Sequence, residues 1–152
     1  MLKLSKKVDY ALIALMHLAR QDSGSSLSAR EIASGYGLPP DLLAKVLQRL
    51  AREGIVESHQ GIKGGYSLKT AASRIDVVRV IEAIDGPLTI TQCISDLGTC
   101  EQFDTCNVKS PLQRLGDEVL RTLKRVTIAD LCAQDYIYRG ADPEVQLPVI
   151  QH

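Results

Sequence analysis

The sequence predicts a mainly α fold: a winged helix-turn-helix followed by a long C-terminal dimerisation helix. Three observations predict it. Two short amphipathic segments, one opening on Ser-x-x-Glu and the next on proline, meet across the turn GYGLPP. Two strand-like runs, GIVESHQ and GYSLKT, follow at once and are joined by glycines. Further on, a charged helix carries a narrow apolar stripe. Composition agrees, with 45% apolar residues, only 4% aromatics and no Trp, a Leu/Ile/Val/Ala-rich makeup that suits packed helices. At 152 residues the chain holds one domain, or a small domain with an appendage.

The first helix is predicted from Lys6 to Arg20, with Ser5 able to cap it. Its run YALIALMHLA is apolar almost all round, which suits a helix between two bodies, the second of which could be another subunit. QDSGSS reads as a polar turn. In LSAREI, Ser28 and Glu31 make a capping box, and Leu27 and Ile32 sit at hydrophobic-staple spacing. Gly37 turns the chain, and Pro39 and Pro40 cannot continue that helix but can open another. From Pro40 to Arg52, Leu43, Val46, Leu47 and Leu50 share one face, with Asp41, Lys45, Gln48 and Arg52 opposite. Many helical hairpins share this outline without touching DNA; the β-hairpin that follows makes it a winged helix. The glycines of GIKGG are expected to supply the positive φ angles of a tight connection, at a tip bearing His59, Gln60 and Lys63.

Asp76 caps the next helix, in which Val77, Val80, Ile81 and Ile84 share a face before DGP ends it. The cysteine-bearing stretch is read as a loop. Ser110 and Pro111 then open a helix whose Leu112, Leu115, Val119, Leu123 and Val126 recur at steps of three and four, a seam for a second copy or for packing back onto its own domain. TIADLC is a last helical turn, and the tail GADPEVQLPVIQH has no helical period. The division is therefore residues 1–87 as a DNA-binding domain, 88–108 as a ligand loop, 109–132 as dimerisation helix and terminal turn, and 133–152 as tail.

Net charge is zero, but unevenly spread. Residues 1–70 carry ten Lys/Arg against six Asp/Glu, and residues 71–152 eight against twelve, so the front half is the half suited to phosphate. The longest apolar run, Tyr10 to Ala19, is broken by His17 and is far shorter than the ~20 residues of a membrane span. Arg20, Gln21 and Asp22 follow it where an export signal would need small residues. A cytoplasmic protein with no membrane partner is expected, and clustered cysteines in that compartment point to metal or redox chemistry.

The stretch CISDLGTCEQFDTC places Cys93, Cys100 and Cys106 in one segment, with gaps of six and five residues. Thiolates are the ligands of soft metal sites, and these gaps are wider than the C-x2-C of zinc knuckles, which favours an iron-sulfur cluster. A zinc site or a bare thiol redox switch is the alternative. Cys132 lies far along on an apolar turn, where a small core residue is the plainer role. No histidine adjoins the stretch, and His17, His59 and His152 form no triad pattern, so the chain reads as a non-enzyme. A small electron carrier or cluster-transfer protein would leave the hairpin and the capping box unexplained.

The segments LSKKVDYALIALMHLA, SAREIASGYGLPPDLLAKVLQRLAREGIVESHQGIKGGYSL, the three-cysteine loop and VTIADL together resemble the family of iron-sulfur transcription regulators that includes IscR and NsrR, the Rrf-two family. The likeness runs from about residue 2 to 132 and is nearest to the branch regulating the SUF cluster-assembly operon. The resemblance implies a homodimeric winged-helix repressor or activator, one labile 2Fe-2S or 4Fe-4S cluster per subunit, and a pseudo-palindromic double-stranded operator. It matches Cys93, Cys100 and Cys106 to the cluster cysteines. Where IscR-like members place a histidine, this chain has Lys109, which cannot ligate while protonated. NsrR-like members use an aspartate on the partner's first helix, and Asp9 matches that position. An acid in a first helical turn also simply favours the helix dipole, and Glu101, Asp104 and Asn107 are local substitutes.

If the second helix of the motif enters a major groove, it offers Pro39, Asp41, Ala44, Lys45 and Gln48. Lys45 and Gln48 have base-reading chemistry, and Asp41 could accept from cytosine or pair with Lys45 one turn along. The family often has an arginine in the wing where this chain has Gln60. Ser5, Lys6, Arg30 and Lys63 are assigned to phosphates, and His59 to the wing. Reordering of the cysteine loop is expected to alter the spacing of two recognition helices.

Overall fold

The computed structural model describes residues 4–22, 24–62, 64–89 and 105–133, and the statements below concern those residues. Side chains that satisfy free backbone N–H groups set the first two helix starts. Helix α1, Lys6–Ala19, follows Ser5, whose Oγ accepts from the Val8 amide at 3.3 Å. Helix α2, Ala29–Tyr36, opens on the predicted capping box: Ser28 Oγ accepts from the Glu31 amide at 3.2 Å, and the Glu31 carboxylate accepts from the Ser28 amide at 2.7 Å. Gly37, at φ 63°, ends α2 in the left-handed conformation that glycine adopts at least cost. Helix α3, Pro40–Arg52, starts with proline at its first position, where the missing N–H is no loss.

The core is made by the apolar faces of these helices. Ala11, Leu15, Ile32, Leu43, Leu47 and Leu50 are fully buried, together with Ile55, Ile75, Val80 and Ile128 from later elements. Each Leu or Ile so placed contributes about 1.5–3 kcal/mol, so α3 is anchored by its buried face. Within its own chain α1 packs against α3, the strand Gly65–Leu68 and the later helices Val77–Asp85 and Ile128–Cys132.

Strands β1, Val56–His59, and β2, Gly65–Leu68, pair antiparallel, with Val56 opposite Leu68 and His59 opposite Gly65. Leu27 adds a bridge to Tyr66 on the other side of β2, fastening the hairpin to the start of α2. The hairpin glycines differ in role from the sequence expectation. Gly61 takes a positive φ of 114°, whereas Gly64 and Gly65 are needed for space. A Cβ on Gly65 would stand 2.4 Å from the Leu27 carbonyl carbon, and one on Gly64 would stand 2.6 Å from the His59 carbonyl oxygen.

After a 3-10 turn at Ala72–Arg74, helix α4, Val77–Asp85, is capped by Asp76, whose carboxylate accepts from the Arg79 amide at 2.9 Å. Helix α5 spans Lys109–Lys124, one residue earlier than Ser110, and helix α6 spans Ile128–Cys132 behind a second capping box of Thr127 and Asp130. Hydrogen bonds of 2.9 Å from the Val77 amide to the Val126 carbonyl and from the Ile128 amide to the Ile75 carbonyl tie the α5–α6 turn to the start of α4. Along α5 only Gly116 is buried; Leu115 is 58% exposed and Leu112, Val119 and Leu123 are half-buried. Val126 at its end packs with Val8, Val77 and Ile81. Among the described residues, no helix is long and apolar enough to cross a membrane.

Candidate nucleic-acid interface

Burial on one side of α3 fixes what it offers on the other. With Leu43, Val46, Leu47 and Leu50 in the core, Pro39, Asp41, Lys45 and Gln48 are exposed and Ala44 is half-buried. Rotating α3 would withdraw four apolar side chains, so this face is preset. Asp41 and Lys45 form no ion pair with each other, which leaves a carboxylate acceptor and an ammonium donor one helical turn apart for an external partner. Lys6 on α1 and Arg30 on α2 are also exposed.

Three side-chain bonds tie α4 to the elements before it, two of them at its last turn. Arg49 Nε donates to the Ala83 carbonyl at 2.9 Å and lies 3.9 Å from Glu53 Oε1. Arg79 Nη2 donates to the Gly54 carbonyl at 3.4 Å. Ser5 Oγ donates to Asp85 Oδ1 at 2.8 Å while it caps α1, so the hydroxyl assigned from sequence to phosphate is engaged within the chain. Sequence reasoning missed this fastening. The last turn of α4 is therefore joined to α3 and to the start of α1, which bears Lys6 and Lys7.

At the hairpin, His59 Nε2 lies 2.7 Å from Ser67 Oγ and 3.7 Å from Glu57 Oε1, so its ring is oriented along the strands. Gln60 is exposed, and Ile62 is fully exposed, an apolar tip that sequence reasoning also missed although it is the only apolar residue in GIKGG. Lys63 lies outside the described residues. The hydroxyl and amide of Ser28, the hydroxyl first, hold the Glu31 carboxyl below its ordinary range.

Of the candidate ligands, Cys93, Cys100, Glu101 and Asp104 lie outside the described residues. Cys106 is half-buried just ahead of α5, Asn107 is exposed, and Lys109 is the first residue of α5. Asp9 is exposed on α1. Cys132 packs against the core with Sγ 3.7 Å from the Met16 carbonyl oxygen, the environment of a small core residue. Among the described residues no three Cys, His, Asp or Glu side chains are grouped to hold a metal ion. The donor set, three thiols on one segment, is chemically suited to a soft metal centre.

A family model described as an iron-dependent transcriptional regulator, Rrf2, matches residues 4–134. The chain belongs to the Rrf2 family. Rrf2 relatives include an HTH-type transcriptional regulator of Mycobacterium tuberculosis, 34% identical over 144 residues that span 94% of this chain and 85% of that protein. An rrf2-like HTH-type regulator of Rhodobacter capsulatus is 30% identical over 138 residues, covering 86% and 92%. Among solved structures, CymR, the global cysteine regulator of B. subtilis, superposes with a TM-score of 0.71 at 27% identity, over 87% of this chain and 97% of that one. IscR of T. potens gives 0.65 at 26% identity, over 86% and 85%. This Rrf2 protein is a winged-helix, DNA-binding transcriptional regulator, in a family of regulators rather than enzymes.

Proposed function

We propose that this Rrf2 protein binds a pseudo-palindromic operator as a homodimer, and that an iron-sulfur cluster, 2Fe-2S or 4Fe-4S, held on each subunit by Cys93, Cys100 and Cys106, sets its affinity. The observation that carries this reading is the run of three thiols on the segment between α4 and α5, in a family described as iron-dependent. The likeness to IscR supports it. When bound, the cluster supplies a centre whose assembly and loss respond to oxygen, nitric oxide or iron supply. Genes for cluster assembly are the expected targets.

The residues of the chain do the rest. Asp9 of the partner subunit completes the ligand set in place of the histidine that Lys109 replaces. The exposed Leu115 and the half-buried stripe of α5 meet a second copy. Lys45 and Gln48 read base edges, Asp41 accepts from them, Pro39 and Ala44 make apolar contact, and Lys6, Arg30 and Lys63 take phosphates. Gln60 and His59 approach the duplex from the hairpin. Movement of the segment that follows Asp85 pulls on the last turn of α4, and hence on α3 through Arg49 and on α1 through Ser5. A coupling of about 1–3 kcal/mol passed this way changes operator affinity about 5- to 150-fold.

Likeness to CymR, a cysteine regulator, supports a second reading in which the same thiols form a zinc site or a bare redox switch. Purification without oxygen separates the two. A brown protein with iron and acid-labile sulfide, lost in Cys93→Ser and weakened in Asp9→Ala, supports the cluster. Colourless protein with stoichiometric zinc, or with neither metal nor sulfide, supports the second reading.

A further inference from the structure

Between the start of α1, the edge of α3 and the end of α4 lies an open groove of about 440 Å3. Its charged lining is Lys7, Lys45, Arg49 and Arg52, and among the described residues no carboxylate lines it. Arg49 is held in place by the Ala83 carbonyl and Glu53. Lys7, Lys45 and Arg52 are exposed and have no ion-pair partner among the described residues. Four cations around one opening that no carboxylate lines among the described residues generate a positive field that a polyanion relieves.

The groove is continuous with the face of α3 assigned above to base edges, because Lys45 and Gln48 belong to both. Among the described residues, none of the hairpin lines it. A helix about 10–12 Å across fills a major groove about 12 Å wide, so the sugar-phosphate backbones must run along its two sides. Among the described residues, the hairpin supplies no phosphate partner at this groove. We infer that the groove is a phosphate-backbone site distinct from the hairpin, in which Lys7 and Arg52 neutralise phosphates of the strand flanking α3 while Arg49 braces the wall. The inference rests on the DNA reading and adds residues to it, since neither Lys7 nor Arg52 was assigned to DNA from sequence. Charge without planar hydrogen-bond geometry at Lys7 contributes affinity rather than sequence choice.

The test is Lys7→Ala/Arg52→Ala, two exposed helical positions at which alanine is an excellent helix former. Fluorescence anisotropy measures affinity over a salt series for a duplex from the protein's own upstream region and for a random duplex. Removing two phosphate-neutralising cations from each subunit, four in the homodimer, should lower the slope of log K against log salt by about 3 to 4, at about 0.9 per phosphate. Affinity should fall by the same factor on both duplexes, so their ratio holds. Arg20→Ala/Arg74→Ala removes the same charge from exposed positions outside the groove and should leave the slope unchanged. An unaltered slope in the groove variant, an equal fall in the control pair, or a collapse of the ratio between duplexes overturns the site. If the wild-type protein binds neither duplex, the DNA reading itself fails and the site with it, whereas duplex binding with an unaltered slope removes the site alone.

Discussion

Replacing Gly65 by alanine probes the joint between the hairpin and α2. A Cβ at this position would lie 2.4 Å from the Leu27 carbonyl carbon, 2.5 Å from its oxygen and 2.8 Å from the Ser28 amide nitrogen, all of them backbone atoms that no side-chain rotation can move aside. Relief requires β2 to part from Leu27. That breaks two backbone hydrogen bonds, from the Leu27 amide to the Tyr66 carbonyl at 3.1 Å and from the Tyr66 amide to the Leu27 carbonyl at 2.8 Å, each worth about 1 kcal/mol net. Residual overlap adds about 1–3 kcal/mol, and the lower freedom of alanine in the unfolded chain returns about 0.4–1 kcal/mol. The net loss is about 2–5 kcal/mol, which for a chain of this size lowers Tm by roughly 4–20 °C. Because Ser28 is also the cap of α2, the helix-turn-helix loosens with the hairpin and operator binding falls as well. Thermal unfolding followed by circular dichroism reads the first effect. Gly61→Ala is the comparison: nothing lies within 4 Å there, and only its φ of 114° is strained, costing about 1–3 kcal/mol confined to the tip. A Tm for Gly65→Ala within about 2 °C of wild type would refute the close-approach argument.

Three further outcomes follow from the same geometry. The Glu31 carboxyl sits below its ordinary value of 4.5 because the Ser28 hydroxyl and amide bind its charged form; its contribution to stability is complete above the unfolded value and is lost as pH falls through the lowered one. Glu31→Gln should therefore show a flatter loss of Tm with acid than wild type, and parallel curves would contradict this. Lys45→Ala/Gln48→Ala should weaken operator binding by about 1–3 kcal/mol for each base edge no longer read and change random-duplex binding little, measured by competition gel shift; equal weakening on both would remove base reading. Leu115→Glu, at an exposed seam position of α5, should halve the mass seen in sedimentation while leaving the fold intact, and an unaltered dimer would place the interface elsewhere.

Legibility followed the range of the interactions. Ser5, Ser28 and Asp76 were readable as caps because a cap and its target amide lie three residues apart. Thr127 and Asp130 repeat that pattern, and their signal is equally local although the sequence reasoning did not use it. The apolar face of α3 dictated its exposed face, so Asp41, Lys45 and Gln48 fell where periodicity put them. Bonds across 34 and 80 residues, Arg49 to Ala83 and Ser5 to Asp85, leave no local trace, and nothing in the sequence pairs those positions. The glycines of GIKGG showed that the backbone is special without showing how: Gly61 for its dihedral, Gly64 and Gly65 for crowding by chain segments remote from them or folded back. Asp9 and Cys106 were placed on α1 and ahead of α5, while Cys93 and Cys100 lie outside the described residues, so their convergence is the proposal above.

The most direct measurement is operator affinity of a single oxygen-free preparation before and after its iron and sulfide are removed by chelation. The account predicts a change of about 5- to 150-fold between the two forms, restored by reconstitution and absent in Cys93→Ser. Identical affinities in preparations that differ in bound iron and sulfide would contradict it.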